Sequence, residues 1–428
     1  MKRYQEMTKE ELLQEKAGLL AEYEKIKAQG LALDMSRGKP GADQLDLSMP
    51  MMDVLTSKSL LKSENGFDLR NYGVLDGIPE AKRLVAGMIG CKPENVMIYG
   101  NSSLNIMYDQ IARAMFDGIC GNTPWSKQGT VKFLCPVPGY DRHFAITEHF
   151  GIEMIPIDMD ENGPDMDAVE SYVNQDASVK GIWCVPKYSN PSGIVYSDEV
   201  VRRFAALKAA APDFRIFWDN AYAIHHLYEE EQAEILDILS ECEKAGNPDM
   251  VFEFCSTSKV TFPGSGIAAL ASSAANIADI KAQLTFQTIG YDKINQLRHA
   301  AYFKDMEGVK SHMEKQAACI RPKFEMIDEL LSKEIAPRGI GSWINPKGGY
   351  FISFSALEGC AKEIVAKCKE AGVTLTGAGA PFPYGKDPKD SVIRIAPTYP
   401  SLEELTKAAE VFVTVVKLVS VDKILENK

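Results

Sequence analysis

The sequence predicts an α/β protein: a mainly parallel seven-stranded sheet sandwiched by helices, joined to a smaller α+β domain. Three observations carry this. Between Pro50 and Leu297 short apolar runs alternate with longer stretches of helical spacing. Several of the runs are apolar throughout, as strands buried on both faces should be. After Arg298 the alternation gives way to a long helical stretch, strand-like segments and a loop rich in Gly and Pro. The chain has 428 residues, which at roughly 150 per domain reads as two or three domains.

Thr8 followed by Glu11 makes a capping box, so a helix is expected from there to about Ala28, ended by Gly30. Residues 31–50, with Gly38, Pro40, Gly41 and Pro50, are expected to be irregular. The seven predicted strands are Val96–Tyr99, Val131–Cys135, Met154–Ile157, Gly181–Val185, Ile216–Trp218, Val251–Phe254 and Ile267–Ala271. Leu104–Phe116 and Asp198–Ala211 are intervening helices, and strand–helix alternation implies a parallel sheet. Further on come a helix at about Lys304–Lys333, strands within Trp343–Phe354, and a helix at about Leu357–Ala371. A strand at Ser391–Ile395 and a helix at about Ser401–Leu418 complete the reading. The expected division is 1–49, an N-terminal segment joining the small domain; 50–298, the large domain; and 299–428, the small domain.

Lys plus Arg number 47 and Asp plus Glu 59, a net charge of −12. That argues against a nucleic-acid binder, which must neutralise phosphates, and against a polybasic membrane anchor. A small anionic ligand remains compatible, since local fields can oppose net charge. The N-terminus is interrupted by acids and does not read as a signal peptide, and no apolar run reaches membrane-span length. Nine cysteines without a CxxC pair suggest a reducing cytoplasm.

Four segments could carry chemistry. Val251–Phe254 runs into Ser256-Thr257-Ser258-Lys259, delivering a lysine at a strand end. A lysine in a cleft, with its pKa lowered, can form an imine with an aldehyde; otherwise it is a surface lysine. Ile216–Trp218 delivers Asp219, with Tyr222 three residues on. A carboxylate there points into the crevice where parallel sheets bind ligands, or caps a helix. Val185 leads to Asn190-Pro191 and Gly193, which taken alone is an ordinary turn. Gly100-Asn101-Ser102-Ser103 precedes a helix, giving either a phosphate site or a capped helix start.

In this order and spacing, the four segments resemble the fold-type I pyridoxal-phosphate enzymes, specifically class I/II aminotransferases akin to aspartate aminotransferase. The resemblance runs from Gly38 to Pro397. It implies that Lys259 bears the cofactor, pyridoxal 5′-phosphate, covalently. It implies that Asp219 meets the pyridine nitrogen, and that Tyr222 and Asn190 meet the ring hydroxyl. Tyr140, in Pro138-Gly139-Tyr140, matches the ring-stacking aromatic. Ser102, Ser103 and Ser256 fall where the phosphate is held. Tyr72, in Asn71-Tyr72-Gly73, matches a tyrosine that serves the partner's site and so implies a homodimer. Arg394 matches the arginine that grips the substrate α-carboxylate, and Asn190 also borders that substrate. Ser36-Arg37-Gly38-Lys39-Pro40 resembles the loop lining the substrate pocket, with Arg37 the candidate for a second carboxylate. Pro346-Lys347-Gly348-Gly349 resembles the small-domain turn.

One departure stands out. The family's usual phosphate-binding arginine, eight residues after the lysine, is here Ile267, which leaves Lys293 or Arg298 as possible substitutes. Gly264-Ser265-Gly266 also fits a short dinucleotide fingerprint, but lies well past its strand. Adjacent His225 and His226 do not share a helix face, and no metal site is expected. The resulting expectation is a transaminase moving the α-amino group of aspartate or a similar donor to a 2-oxo acid such as 2-oxoglutarate. The alternatives are a C–S β-lyase using the same lysine, aspartate and arginine, and a non-catalytic ligand-sensing domain.

Overall fold

The computed structural model describes residues 2–428. The capping box forms as predicted: Thr8 accepts from the Glu11 N–H, Glu11 accepts from the Thr8 N–H, and the helix runs Lys9–Lys27. A two-residue strand follows, Leu33–Asp34 (β1).

The large sheet takes Val96–Ile98 (β2), Lys132–Val137 (β3), Glu153–Asp160 (β4), Gly163–Pro164 (β5), Val179–Cys184 (β6), Arg215–Asp219 (β7), Val251–Ser256 (β8) and Ala268–Ala271 (β9). Their spatial order is β2-β9-β8-β7-β6-β3-β4-β5, so among the described residues the sheet has eight strands and not the predicted seven. The addition, β5, is two residues long and too short to carry a hydropathy pattern. The neighbours β4-β3-β6-β7-β8 are parallel. Strand β9 runs antiparallel to both β8 and β2, and β5 antiparallel to β4.

Successive residues of one strand point to opposite faces and enter different cores. Leu134, Ile182 and Ile216 pack on one side, and Phe133, Trp183 and Phe217 on the other. This is why the strands read as continuously apolar.

Two helices end elsewhere than predicted. The helix expected to reach Ala211 stops at Ala205, because the Asn247 side-chain amide donates to the Ala205 and Leu207 carbonyls. That partner is about forty residues away and invisible to local pattern. The last helix, Leu402–Glu426, outruns Leu418 because Val419, Val421 and Ile424 are also buried.

Beyond the large sheet, Gly341–Trp343 (β10), Ile352–Ala356 (β11) and Val392–Ile395 (β13) form an antiparallel sheet. Val373–Thr374 (β12) pairs in parallel with β1. Leu12, Leu19 and Tyr23 of the N-terminal helix share a core with Phe412, Val416 and Val419. The N-terminal segment therefore packs with the C-terminal part of the chain. No helix among the described residues is long and apolar enough to cross a membrane.

Candidate active site

The segments that follow β3, β6, β7 and β8 converge on a cavity of about 690 Å³. Its lining brings together Lys259, Asp219, Tyr222, Asn190, Tyr140, Ser102, Ser103, Ser256, Arg394, Arg37 and Gly38. Tyr72 stands apart, 77% exposed and outside this lining.

Asp219 ends β7, a strand buried along its whole length. Its Oδ2 accepts a hydrogen bond from His143 Nε2 at 2.9 Å, and the His143 ring stacks on Trp183 with centroids 4.4 Å apart. Its Oδ1 is shielded from water and has no partner among the described residues. A buried carboxylate oxygen without a donor is costly and marks a place for one. A protonated pyridine nitrogen is such a donor.

Lys259 lies three residues past the end of β8. Its Nζ sits 5.1 Å from the centre of the Tyr222 ring and 5.9 Å from that of Tyr350. Burial lowers its pKa, with the nearby Asp219 charge opposing the shift. The free amine needed for attack on an aldehyde is thereby favoured. Its carbonyl accepts from the Tyr350 hydroxyl at 3.3 Å, which ties the lysine's backbone to the segment leading into β11. Tyr222 is buried, and burial raises its phenol well above the usual range, so it remains a donor.

Ser102 is the N-cap of the helix Ser103–Phe116 yet makes no side-chain cap bond. Its hydroxyl and the free first-turn amides can serve an anion. Ser256, also in the lining, has its Oγ donating to Ser258 Oγ at 3.1 Å. Ile267 is buried, its N–H donating to Thr257 Oγ1 at 2.9 Å. Neither proposed substitute cation lines the cavity. Lys293 Nζ donates to the Tyr291 carbonyl at 3.3 Å, and Arg298 bonds Asn295 and Ser265. Both of these cations are thus engaged outside the cavity.

Arg394, in β13, has its guanidinium over the Phe351 ring, 4.9 Å from its centre. Gly38 must be glycine because a Cβ there would lie 2.3 Å from the same Phe351 ring. Arg37 is exposed and, among the described residues, has no ion-pair partner; Asp43 instead faces Lys323. Sequence reasoning missed His143, Asp141, Arg142 and Thr376. His143 lies three residues past Tyr140, one helical turn on, but nothing in the sequence links it to Asp219. Thr376 sits beside a Gly-rich loop that offered only a turn signal. Among the described residues no group of three His, Cys, Asp or Glu side chains could hold a metal ion.

The fold, with a lysine and a buried aspartate lining one cavity, defines a fold-type I pyridoxal-phosphate enzyme. The aspartate amino-transferase family model matches residues 7–428. An aspartate aminotransferase of Corynebacterium glutamicum is 45% identical over 404 residues, covering 94% of this chain and 92% of its own. The crystal structure of an aspartate transaminase from that organism superposes with a TM-score of 0.95 at 42% identity, covering 99% of each chain. An α-aminoadipate aminotransferase from Thermus thermophilus, complexed with N-(5′-phosphopyridoxyl)-L-leucine, shares the fold at 18% identity and a TM-score of 0.72, covering 95% of this chain and 97% of its own. The chain belongs to the aspartate aminotransferase family. It is an aminotransferase, and its cofactor is pyridoxal phosphate.

Proposed function

We propose that the enzyme moves the α-amino group of aspartate to a 2-oxo acid such as 2-oxoglutarate. The observation that carries this reading is the buried, unpartnered Asp219 Oδ1 in a cavity that also holds Lys259 and Arg394. Bound pyridoxal phosphate supplies an electron sink for the charge left when the substrate α-carbon loses its proton. The chain's own residues do the rest.

Asp219, oriented by His143, keeps the ring nitrogen protonated by favouring its cationic form. Tyr222 and Asn190 meet the ring hydroxyl, and Tyr140 packs against the ring. Ser102, Ser103 and Ser256 hold the phosphate. Lys259 bears the cofactor; once released, its amine takes the proton from the substrate α-carbon and holds it at Nζ for return. Arg394 grips the α-carboxylate and so fixes which bond at the α-carbon is broken. Arg37, without an internal partner on the loop that closes over Phe351, faces the second carboxylate.

Tyr72 supports a homodimer with shared sites, since it is 77% exposed and lies outside the cavity of its own chain. Phe286 at 94% and Leu60 at 76% exposure also suit a partner surface. Mixing Lys259→Ala with Tyr72→Ala subunits should restore activity in hybrid sites, and no recovery despite proven exchange would refute sharing. A reducing cytoplasm fits the nine free cysteines. The division 1–49, 50–298 and 299–428 fits the way the first helix packs on the last. A screen of amino donors against 2-oxoglutarate tests the function: aspartate should lead. Pyruvate formed from cystathionine without an oxo acid would assign a lyase instead.

A further inference from the structure

The guanidinium of Arg394 is already engaged. Its Nη1 donates to Asp141 Oδ1 at 2.7 Å and to Asn190 Oδ1 at 3.4 Å. Its Nε and Nη2 both donate to Thr376 Oγ1, at 3.3 and 3.2 Å. An arginine has five N–H donors. Nε has one and Nη1 has two, and all three are used; Nη2 has used one of two. One N–H is left, whereas a bidentate grip on a carboxylate needs two. A substrate that binds through Arg394 must therefore displace a partner already there.

Which partner yields follows from how each is held. Asn190 is buried at 4% exposure. Thr376 is anchored by its own hydroxyl, which donates to the Ser36 carbonyl at 2.7 Å. Phe351 backs the guanidinium plane, so the arginine itself is not free to swing aside. Asp141 differs on every count. Its side chain is 31% exposed, against 7% for Arg394. It carries the same charged group as the incoming substrate, and two carboxylates on one guanidinium edge repel. It also opens the helix Asp141–His149, whose N-cap Tyr140 makes no side-chain bond. A carboxylate released into that first turn is stabilised by the helix dipole.

We infer that Asp141 is an internal stand-in for the substrate α-carboxylate: it holds Arg394 in the substrate-free enzyme and is exchanged for the substrate's carboxylate on binding. This rests on Arg394 being the carboxylate arginine. Asp141 is thus a positioning residue that competes with every substrate using Arg394. It keeps the buried cation neutralised between turnovers and sets a higher KM for amino donor and oxo acid alike.

The test uses holoenzyme carrying Asp141→Asn, with Asp141→Ala as a second variant. Readouts are KM for aspartate and 2-oxoglutarate and the inhibition constant of acetate, whose single carboxylate cannot engage Arg394 and Arg37 in the way a dicarboxylate does. Removing a partly exposed ion pair from the free enzyme corresponds to roughly a fivefold effect. All three constants should fall by about that factor, with kcat/KM rising for both substrates. Constants that rise, or that stay within twofold in both variants, overturn the stand-in; a rise would mean that Asp141 orients Arg394 for the substrate. Arg394→Lys is the control for the underlying reading. If it leaves acetate inhibition and both KM values unaltered, Arg394 is not the carboxylate arginine, and the reading beneath this one fails instead.

Discussion

The two ends of the cavity are built in different ways. At the proposed cofactor end, Asp219 ends one strand and is paired to Phe254 of the next, parallel strand, which Lys259 follows by three residues; Asp219 is buried and Lys259 half-buried. At the substrate end, Arg394 comes from β13 while Arg37 and Gly38 come from a loop more than three hundred residues earlier. One end is fixed by a sheet that cannot shift a residue without turning its apolar faces over. The other is held by side chains that can be exchanged, as the Asp141 contact illustrates. Chemistry is placed on rigid elements, and selection on adjustable ones.

That contrast predicts a ranking of effects. Lys259→Ala should lower turnover by at least about a thousandfold, the upper part of the range for a lost acid–base group. Single-turnover kinetics with aspartate checks it, and a loss below tenfold would mean that the cofactor end is not where chemistry is set. Asp219→Ala should cost on the order of a hundredfold, since the ring would no longer be kept protonated. A visible-absorption titration should then place the bound cofactor's ring proton at lower pH than in wild type.

At the substrate end the effects should be selective and smaller. Arg37→Ala should reduce kcat/KM for aspartate and glutamate roughly tenfold relative to alanine, since Arg37 is exposed and water can replace part of its contact. An equal loss for all donors would make Arg37 a brace for its loop and erase the contrast.

The smallest effect concerns stability beneath the cofactor end. Asn220 Nδ2 donates to Glu253 Oε1 at 2.9 Å, while Glu253 Oε2 and Asn220 Oδ1 are both buried without partners among the described residues. A proton on Glu253 would spare the site a buried charge. Burial pushes the Glu253 pKa up to about 8, against the 4.5 it would have in the open chain. The folded state then holds a proton that the unfolded chain releases, so stability falls as pH rises from about 5 towards 8. Between about pH 6 and pH 8 the fall should be roughly 2–3 kcal/mol. Glu253→Gln should flatten that slope in denaturant melts; an unaltered slope would remove the buried acid from the account.

The same contrast decides what the sequence disclosed. Lys259, Asp219 and Asn190 were legible because each follows a strand whose apolar run marks its own end. Gly38 and Arg394 were legible only through resemblance, since a loop glycine and one arginine among many carry no local signal. His143 was hidden because its meaning depends on Trp183 beneath it and Asp219 beside it, both from strands of the large sheet and distant in sequence. Asp141 was hidden because Arg394, its partner, is about 250 residues away. Strand β5 was too short for periodicity, and the end at Ala205 depended on Asn247. Local pattern reports burial and chain reversal; it does not report which distant side chains meet.

The central claim is that Lys259, in the same cavity as the unpartnered oxygen of Asp219, is the lysine that bears the cofactor. Borohydride reduction of the purified holoenzyme, followed by proteolysis and peptide mapping, tests it directly. The account predicts a yellow protein that loses its visible band on reduction, with the phosphopyridoxyl label on the peptide containing Ser256-Thr257-Ser258-Lys259. Label on any other lysine, Lys187 or Lys293 included, would contradict it.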